Sequence, residues 1–341
     1  MKTGFSVQEK YCQQIPGASE IHDPVPQSKI EIISYEQLAE TGEDRLVFDL
    51  TNAPASHANA LRRTLLASVP SIAIELVGML DNTGVMPDEV LCHRLGLIPI
   101  NADPSLLDYP KQKIEDKSSD PNEVLLFGLH VIGGRGPTPD LSNVDASMEE
   151  NLPPTYIDGS IENPGEILSS HLVWMPYEGQ REKFGNVAPL HADIPITKIL
   201  PGQTIHLYCR AIKGIGSDHA KFQPVCTAFY RLVPSIQVKD EINSSEKKQQ
   251  KLISKCPMGV FDIEDSKLVV RSPRKCTTCR ECIRNPSLAH YVSLGKEANH
   301  YEFTVESVGV RPAYVLVKEA LQILQNRCDE FTEVITDYLK P

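Results

Sequence analysis

Pro54-Ala-Ser-His-Ala-Asn-Ala-Leu-Arg-Arg-Thr-Leu-Leu-Ala-Ser-Val-Pro70 decides how the rest of the chain is read. Ala58, Leu61, Leu65 and Val69 recur at i, i+3, i+7 and i+11, which gathers them on one face of a helix. Pro54 and Ser56 open that helix, and Pro70 stops it. Arg62 and Arg63 are adjacent, so about 100° of rotation separates their side chains. One can bond within its own domain while the other reaches a carboxylate or carbonyl of a partner; a solvated pair is the alternative.

Upstream, Lys29-Ile-Glu-Ile-Ile-Ser34 and Arg45-Leu-Val-Phe-Asp-Leu50 alternate as strands do, behind a polar, proline-containing stretch at residues 1–28 that reads as an extended arm. Downstream, Asp88-Glu-Val-Leu-Cys-His-Arg-Leu-Gly96 is a second short amphipathic helix, with Gly96 placed to cap its C-terminus. Residues 101–202 are rich in Pro, Gly and Asp and contain β-like runs, Val124-Leu-Leu-Phe-Gly-Leu-His-Val-Ile132 and His171-Leu-Val-Trp-Met175. That composition describes a separate β-rich lobe with long loops. Strand-like alternation returns at residues 204–212 and 227–233, and residues 241–251 read as a charged linker.

The last segment is the most regular. Pro312 suits the first turn of a helix. After it, Val317, Leu321, Leu324, Cys328, Phe331, Ile335 and Tyr338 are spaced 4, 3, 4, 3, 4, 3. This is the seam of a helix that meets another helix, although a long amphipathic helix lying on its own domain shows similar spacing.

Bulk properties narrow the function classes. A chain of 341 residues has room for two domains, and 41% hydrophobic residues supply a core. A net charge of -11 repels phosphates, which argues for little or no direct contact with nucleic acid. Residues 1–12 lack the apolar core of a secretory signal and no run of 18 apolar residues occurs, so no membrane role is expected. The 9 cysteines are accordingly expected in a reducing compartment. Five of them, Cys12, Cys92, Cys209, Cys226 and Cys328, are scattered and read as small buried hydrophobes. His93-Arg94 and His219 have no positioned nucleophile or carboxylate pair beside them and read as structural. Gly214-Ile-Gly216 lacks both phosphate-loop completions and reads as a tight turn before a strand.

The segment Asn59-Ala-Leu-Arg-Arg-Thr-Leu-Leu-Ala-Ser-Val-Pro70, followed by Asp88-Glu-Val-Leu-Cys-His-Arg-Leu-Gly-Leu-Ile-Pro99, resembles two signatures of the alpha-type subunits of RNA polymerase. Gly214-Ile-Gly-Ser-Asp-His-Ala-Lys-Phe-Gln-Pro224 and Phe303-Thr-Val-Glu-Ser-Val-Gly309 resemble two more, in the same order. Pro224-Val-Cys-Thr-Ala-Phe-Tyr-Arg-Leu232 is most similar to the larger alpha-like subunit shared by eukaryotic polymerases I and III. The resemblance implies an α+β fold with a dimerisation domain split between residues 29–75 and 223–341, an inserted β-rich domain at 76–222, and a small ferredoxin-like insert at 252–290. It implies a non-catalytic assembly subunit in the nucleus, including the nucleolus. Its partner would be a smaller alpha-like subunit, and the pair would receive the second-largest subunit. Arg62, Arg63, Val317, Leu321, Leu324, Cys328, Phe331 and Ile335 are the candidate partner-binding residues.

One cluster needs its own chemistry. Cys276-Thr-Thr-Cys279-Arg-Glu-Cys282 is C-x2-C-x2-C, and Cys256-Pro lies upstream. In bacterial-type ferredoxins such a run supplies three ligands to a [4Fe–4S] cluster and a distant Cys-Pro the fourth. A hairpin over residues 260–271 would bring Cys256 back to the triplet, and Pro286 stands where a second cluster would need a ligand. Four thiolates also suit zinc, and a remnant that packs without metal is the third reading. An iron–sulfur oxidoreductase is the rival function; it calls for a flavin or nicotinamide site, and no GxGxxG is present.

Overall fold

The computed structural model describes residues 5–8, 11–14, 27–37, 44–111 and 120–338. Of the arm expected at residues 1–28, two short runs pair as a backbone hairpin, β1 (Phe5–Gln8) and β2 (Tyr11–Gln14), and most of the remainder lies outside the described residues. β3 (Lys29–Gln37) then runs antiparallel to β4 (Asp44–Thr51). The strand period of two turns Leu46, Phe48 and Leu50 of β4 to one face, and all three are buried. α1 (Ala55–Ala67) covers that face with Ala58, Leu61, Thr64 and Leu65. Val69 is buried too, but beyond the helix, which turns at Ser68 because the residue before Pro70 avoids the helical region.

The chain next builds a second sheet. β5 (Pro70–Asn82) leads to α2 (Asp88–Gly96), followed by β6 (Val124–Gly133), β7 (Thr155–Ile157), β8 (Gly165–Leu168), β9 (Val173–Trp174), α3 (Gln180–Phe184), β10 (Pro195–Ile199) and β11 (Thr204–Ile215). β5, β11, β6 and β7 lie side by side with β9 also on β6, while β8 and β10 form a separate two-stranded sheet. Both faces of the five-stranded sheet are filled. Leu91 and Leu95 of α2 pack with Leu125, Phe127, Leu129 and Leu207 on one face, and Leu126, Val144, Leu152 and Met175 cluster on the other.

Three glycine and strand expectations change here. α2 runs through Gly96 into a right-handed Leu97, so no left-handed cap forms; a Cβ on Gly96 would stand 3.3 Å from the Ile74 carbonyl, and the glycine lets helix and strand close up. Gly216 does stand in a tight turn, closed by the Asp218 N–H donating to the Ile215 carbonyl at 3.0 Å, but the turn follows β11 and does not lead directly into a strand; a Cβ on Gly216 would also fall 2.1 Å from the Leu66 carbonyl of α1. The run at residues 171–175 keeps only β9 as strand, because Ser169–His171 winds into a 3-10 turn.

β12 (Val225–Val238) returns to the first sheet. The segment expected as a linker is a 3-10 turn, Asp240–Ser244, and α4 (Glu246–Lys255), which buries Gln249 and Leu252 one turn apart. β13 (Phe261–Glu264) and β14 (Lys267–Val270) make the hairpin expected near Cys256, turning through left-handed Asp265 and Ser266. α5 (Glu281–Arg284), α6 (Pro286–Ala289), β15 (Val292–Ser307) and α7 (Ala313–Tyr338) complete the described chain. The resulting sheet is ordered β12-β15-β4-β3, so strands from opposite ends of the sequence are neighbours. Phe48 stacks on Phe303 at 5.0 Å beneath α1 and α7. The buried Asp44 carboxylate accepts the Ala313 N–H at 2.8 and 3.0 Å, which fixes where α7 starts.

Of the five scattered cysteines, Cys209 is buried as expected, Cys226 and Cys328 are exposed and Cys92 is half-buried against the expectation, and the side chain of Cys12 lies outside the described residues; in the late cluster Cys282 is buried. Among the described residues no helix is long and apolar enough to cross a membrane.

Candidate partner-binding face and cysteine pocket

α7 changes surroundings along its length. Ala313, Leu316, Val317 and Ala320 are buried against the four-stranded sheet. Val317 therefore belongs to the chain's own core and not to a partner seam, because the sheet reaches under the first turns of the helix. Arg327 donates to Ser68 Oγ at 2.9 Å, a late tie to α1's end. Past it the apolar residues stay bare: Phe331 is 70% and Tyr338 90% exposed, with Cys328, Val334 and Ile335 exposed between them.

Leu321 and Leu324 face α1 across an apolar groove of about 440 Å³ whose other walls include Ile30, Leu50, Ala60 and Leu61. Ile30 pairs across the strands with Leu50, and Ile32 with Phe48, so β3 carries the same face outward to the sheet edge. Ile30 and Ile32 are exposed there. They belong to this surface, although Lys29-Ile-Glu-Ile reads only as a strand; two isoleucines alternating with charges on an edge were the available signal. Arg62 donates from Nε and Nη2 to Asn59 Oδ1 at 3.2 and 2.9 Å, spending its fork inside α1. Arg63 is exposed and makes no hydrogen bond or ion pair among the described residues. It lies one turn from groove-lining Ala60.

The opposite face of the same sheet carries charge. Arg274 binds Asp49 at 2.9 and 2.5 Å and Glu302 at 2.8 Å. Arg231 binds Glu302 at 2.7 Å and donates to the Arg274 carbonyl. His300 Nε2 meets Asp49 at 2.9 Å. Burial works against the Asp49 carboxylate, but Arg274 and His300 hold its pKa below the ordinary value. Burial likewise works against a charged His300, yet its bonds to Asp49 and Glu297 raise its pKa. This network seats the cysteine-bearing segment on the sheet two residues before Cys276.

Cys256, Cys276, Cys279 and Cys282 line one small cavity, together with Val260 and Phe261. The hairpin of β13 and β14 thus brings the distant cysteine to the triplet. Thr278 and Arg280 adopt left-handed φ, curling the loop so that the Thr278 N–H donates to Cys276 Sγ at 3.4 Å. Burial pushes the Cys282 thiol up, and the other three cysteines add to the shift. In kind, four thiols and an amide donor suit thiolate ligation. Among the described residues no three His, Cys, Asp or Glu side chains are grouped as ligands of a metal ion. His219 accepts the Lys221 N–H at 3.1 Å, a local turn contact, and His93 lies on the exposed side of α2.

Compared with known proteins, a model of the RNA polymerase Rpb3/Rpb11 dimerisation domain matches residues 47–328, from β4 through most of α7. The chain belongs to this family. Its curated relatives include DNA-directed RNA polymerases I and III subunit RPAC1 of Homo sapiens, 37% identical over 96% of this chain and 92% of the human protein. The Dictyostelium discoideum counterpart is 38% identical over 86% of this chain and 79% of its own length. The Saccharomyces cerevisiae RPAC1 is 35% identical over 83% and 82%. RNA polymerase II subunit rpb3 of Dictyostelium discoideum is more distant, at 28%. The resemblance seen in the four sequence signatures is therefore to the right family and, within it, to the polymerase I and III type. The Rpb3/Rpb11 match takes in both walls of the groove, α1 and the Leu321–Leu324 stretch of α7.

Proposed function

We propose that this chain is the larger alpha-like assembly subunit of RNA polymerases I and III, without catalytic residues of its own. One observation carries the reading. Phe331, Val334, Ile335 and Tyr338 follow Ala313, Leu316, Val317 and Ala320 by 18 residues each, which is five full helical turns. The stripe buried on the chain's own sheet in the first turns of α7 is thus the stripe left bare in the last ones. A surface that repeats its own core pattern calls for a second sheet of similar build. That is what a smaller alpha-like subunit brings, with Arg63, Leu321, Leu324, Cys328, Phe331 and Ile335 meeting it. Residues 29–75 and 223–341 form the dimerisation domain, residues 76–222 an insert, and residues 252–290 a ferredoxin-like insert. The pair then receives the second-largest subunit, in the nucleus and nucleolus, and the net charge of -11 keeps the chain off nucleic acid.

The four cysteines are ligands of one [4Fe–4S] cluster in this proposal. The C-x2-C-x2-C spacing, the convergence of Cys256 on the same cavity and the Thr278 amide support it. Zinc needs all four sulfurs at about 2.3 Å from one centre. The group would brace the insert, since no site for a flavin or nicotinamide accompanies it in the sequence. Mass spectrometry of the natively purified assembly tests the main reading: large polymerase subunits and one small alpha-like subunit co-purify. A monomer free of polymerase subunits refutes it. Iron and acid-labile sulfide in anaerobic preparations test the cluster; zinc, or neither metal, overturns that part.

A further inference from the structure

Arg311 stands in the turn between β15 and α7, with its side chain 14% exposed. Its Nη2 donates to the Pro70 carbonyl at 2.6 Å and its Nη1 to the Glu319 carboxylate of α7. Pro70 opens β5, so one guanidinium ties α7 to the first residue of the five-stranded sheet. The turn is itself held, because the Arg311 carbonyl accepts the Ser307 hydroxyl, whose oxygen accepts the Gly309 N–H at 2.9 Å. A planar fork bound to two elements fixes both at once, which the point charge of a lysine does not.

The chain passes between the two large sheets twice, at residues 67–71 and 215–225. The crossings are tied together: Ser71 Oγ donates to the Phe222 carbonyl at 2.7 Å and the Ser217 N–H to the Ala67 carbonyl at 3.0 Å. Two neighbouring crossings still leave rotation about the line that joins them, and a third attachment removes it. Arg311 supplies that attachment from α7. Glu319 faces the same junction: its carboxylate adds to burial in raising the Tyr109 pKa, and with Asp108 it works against the burial that lowers Lys213. Ser71, Ile72, Val308, Val310 and Arg311 line a space of about 40 Å³ there, room for a few waters and no more. Leu321 and Leu324 lie about 200° and 140° round α7 from Glu319. Arg311 therefore grips the helix away from the groove and leaves that face clear.

We infer that Arg311 is a positioning residue: it fixes the angle between α7 and the five-stranded sheet, so that the overhanging end of α7 presents what it binds at one orientation to that sheet. The inference rests on the proposed function only for what the overhang carries, the smaller alpha-like subunit. Two units joined rigidly before a further subunit arrives meet it as one surface, with the cost of ordering them already met.

Spin labels on non-natural residues at Val90 of α2 and Glu333 of α7, both exposed, read the angle as a distance distribution with every native cysteine in place. In the full chain, alone and paired with the smaller subunit, the unaltered protein gives one narrow distribution. Arg311→Met broadens it about twofold or more, and Arg311→Lys, which keeps the charge but serves one acceptor, broadens it less. Phe127→Ala loosens the five-stranded core away from the junction and leaves the width unchanged, which separates a fixed angle from general stability. A distribution as narrow in Arg311→Met as in the unaltered protein overturns the inference, as does equal broadening in Phe127→Ala. Where Arg311→Met fails to fold, an unchanged width in Arg311→Lys overturns it. Failure of the unaltered chain to pair counts against the proposed function instead, because the chain alone still reports the angle.

Discussion

The two large sheets solve the same problem in opposite ways. The five-stranded sheet is covered on both faces by its own chain, with Phe127, Leu129 and Leu207 on one side and Leu126 and Met175 on the other. The four-stranded sheet is covered on one face by α1 and the first turns of α7, and leaves the β3 edge and the rest of α7 uncovered. A sheet that buries both faces is finished. One whose helical layer overhangs its edge is, in the proposed function, half of something larger, with the other half seated against the overhang.

Four measurements can break or sharpen that contrast. The largest effect is expected at the open side. Leu321→Arg or Leu324→Arg places an unpaired charge in the groove, at a cost of several kcal/mol once a partner covers it, and pairing with the smaller subunit falls by more than about 100-fold in co-purification. Retained pairing in either variant would move the interface away from the groove. In the closed sheet, Phe127→Ala costs about 3–5 kcal/mol of stability in denaturant unfolding, while folded protein still pairs normally. A matching loss of pairing would show the lobe is not self-sufficient.

The back of the open sheet should respond less. Arg274→Met leaves Asp49 and Glu302 without their shared cation; because the Arg274 side chain is 40% exposed, the loss is about 1–2 kcal/mol. The smallest effect is a pH dependence. His300 has a raised folded pKa, so its stabilisation is complete below its unfolded value of about 6.5 and disappears as pH rises through the folded value. Asp49, with a lowered pKa, contributes above about 3.9 and loses its part only on stronger acidification. Wild type should therefore exceed His300→Gln in stability by more at pH near 5.5 than near 8.5, by under about 1 kcal/mol. A flat difference would mean that Glu297 and Asp49 do not hold the imidazolium.

Helices with a sustained period were legible before any coordinates. The Leu61 and Leu65 face of α1 and the apolar stripe of α7 follow from spacing alone, because 3.6-residue periodicity survives in the sequence whatever covers it. What spacing does not encode is the covering element. Val317 has the seam's period yet lies over the chain's own sheet, while Leu321, four residues on, does not. α4 was hidden because a helix resting on a small core needs only Leu252 and its neighbours to be apolar. The outer half of β15 is a similar case: Lys296 and Glu297 belong to a strand whose pairing with β12 is set by distant residues. Cysteine burial is equally silent in sequence, as buried Cys209 and exposed Cys226 show. The convergence of Cys256 on the triplet was legible because the hairpin between them carries its own turn.

Asp44 reaches across 269 residues to cap α7, and β4 lies beside a strand about as far along the chain. On the ribosome, the apolar side of β4 and α1 must therefore wait for its cover. At about 5–20 residues per second, the roughly 250 residues between Thr51 and His300 take on the order of 12–50 s to appear. The five-stranded lobe has all its strands within that interval and can condense early, shortening the loop that must later close. The early segment keeps that apolar side uncovered for this time, and truncation anywhere before β15 would leave it an aggregation-prone stub.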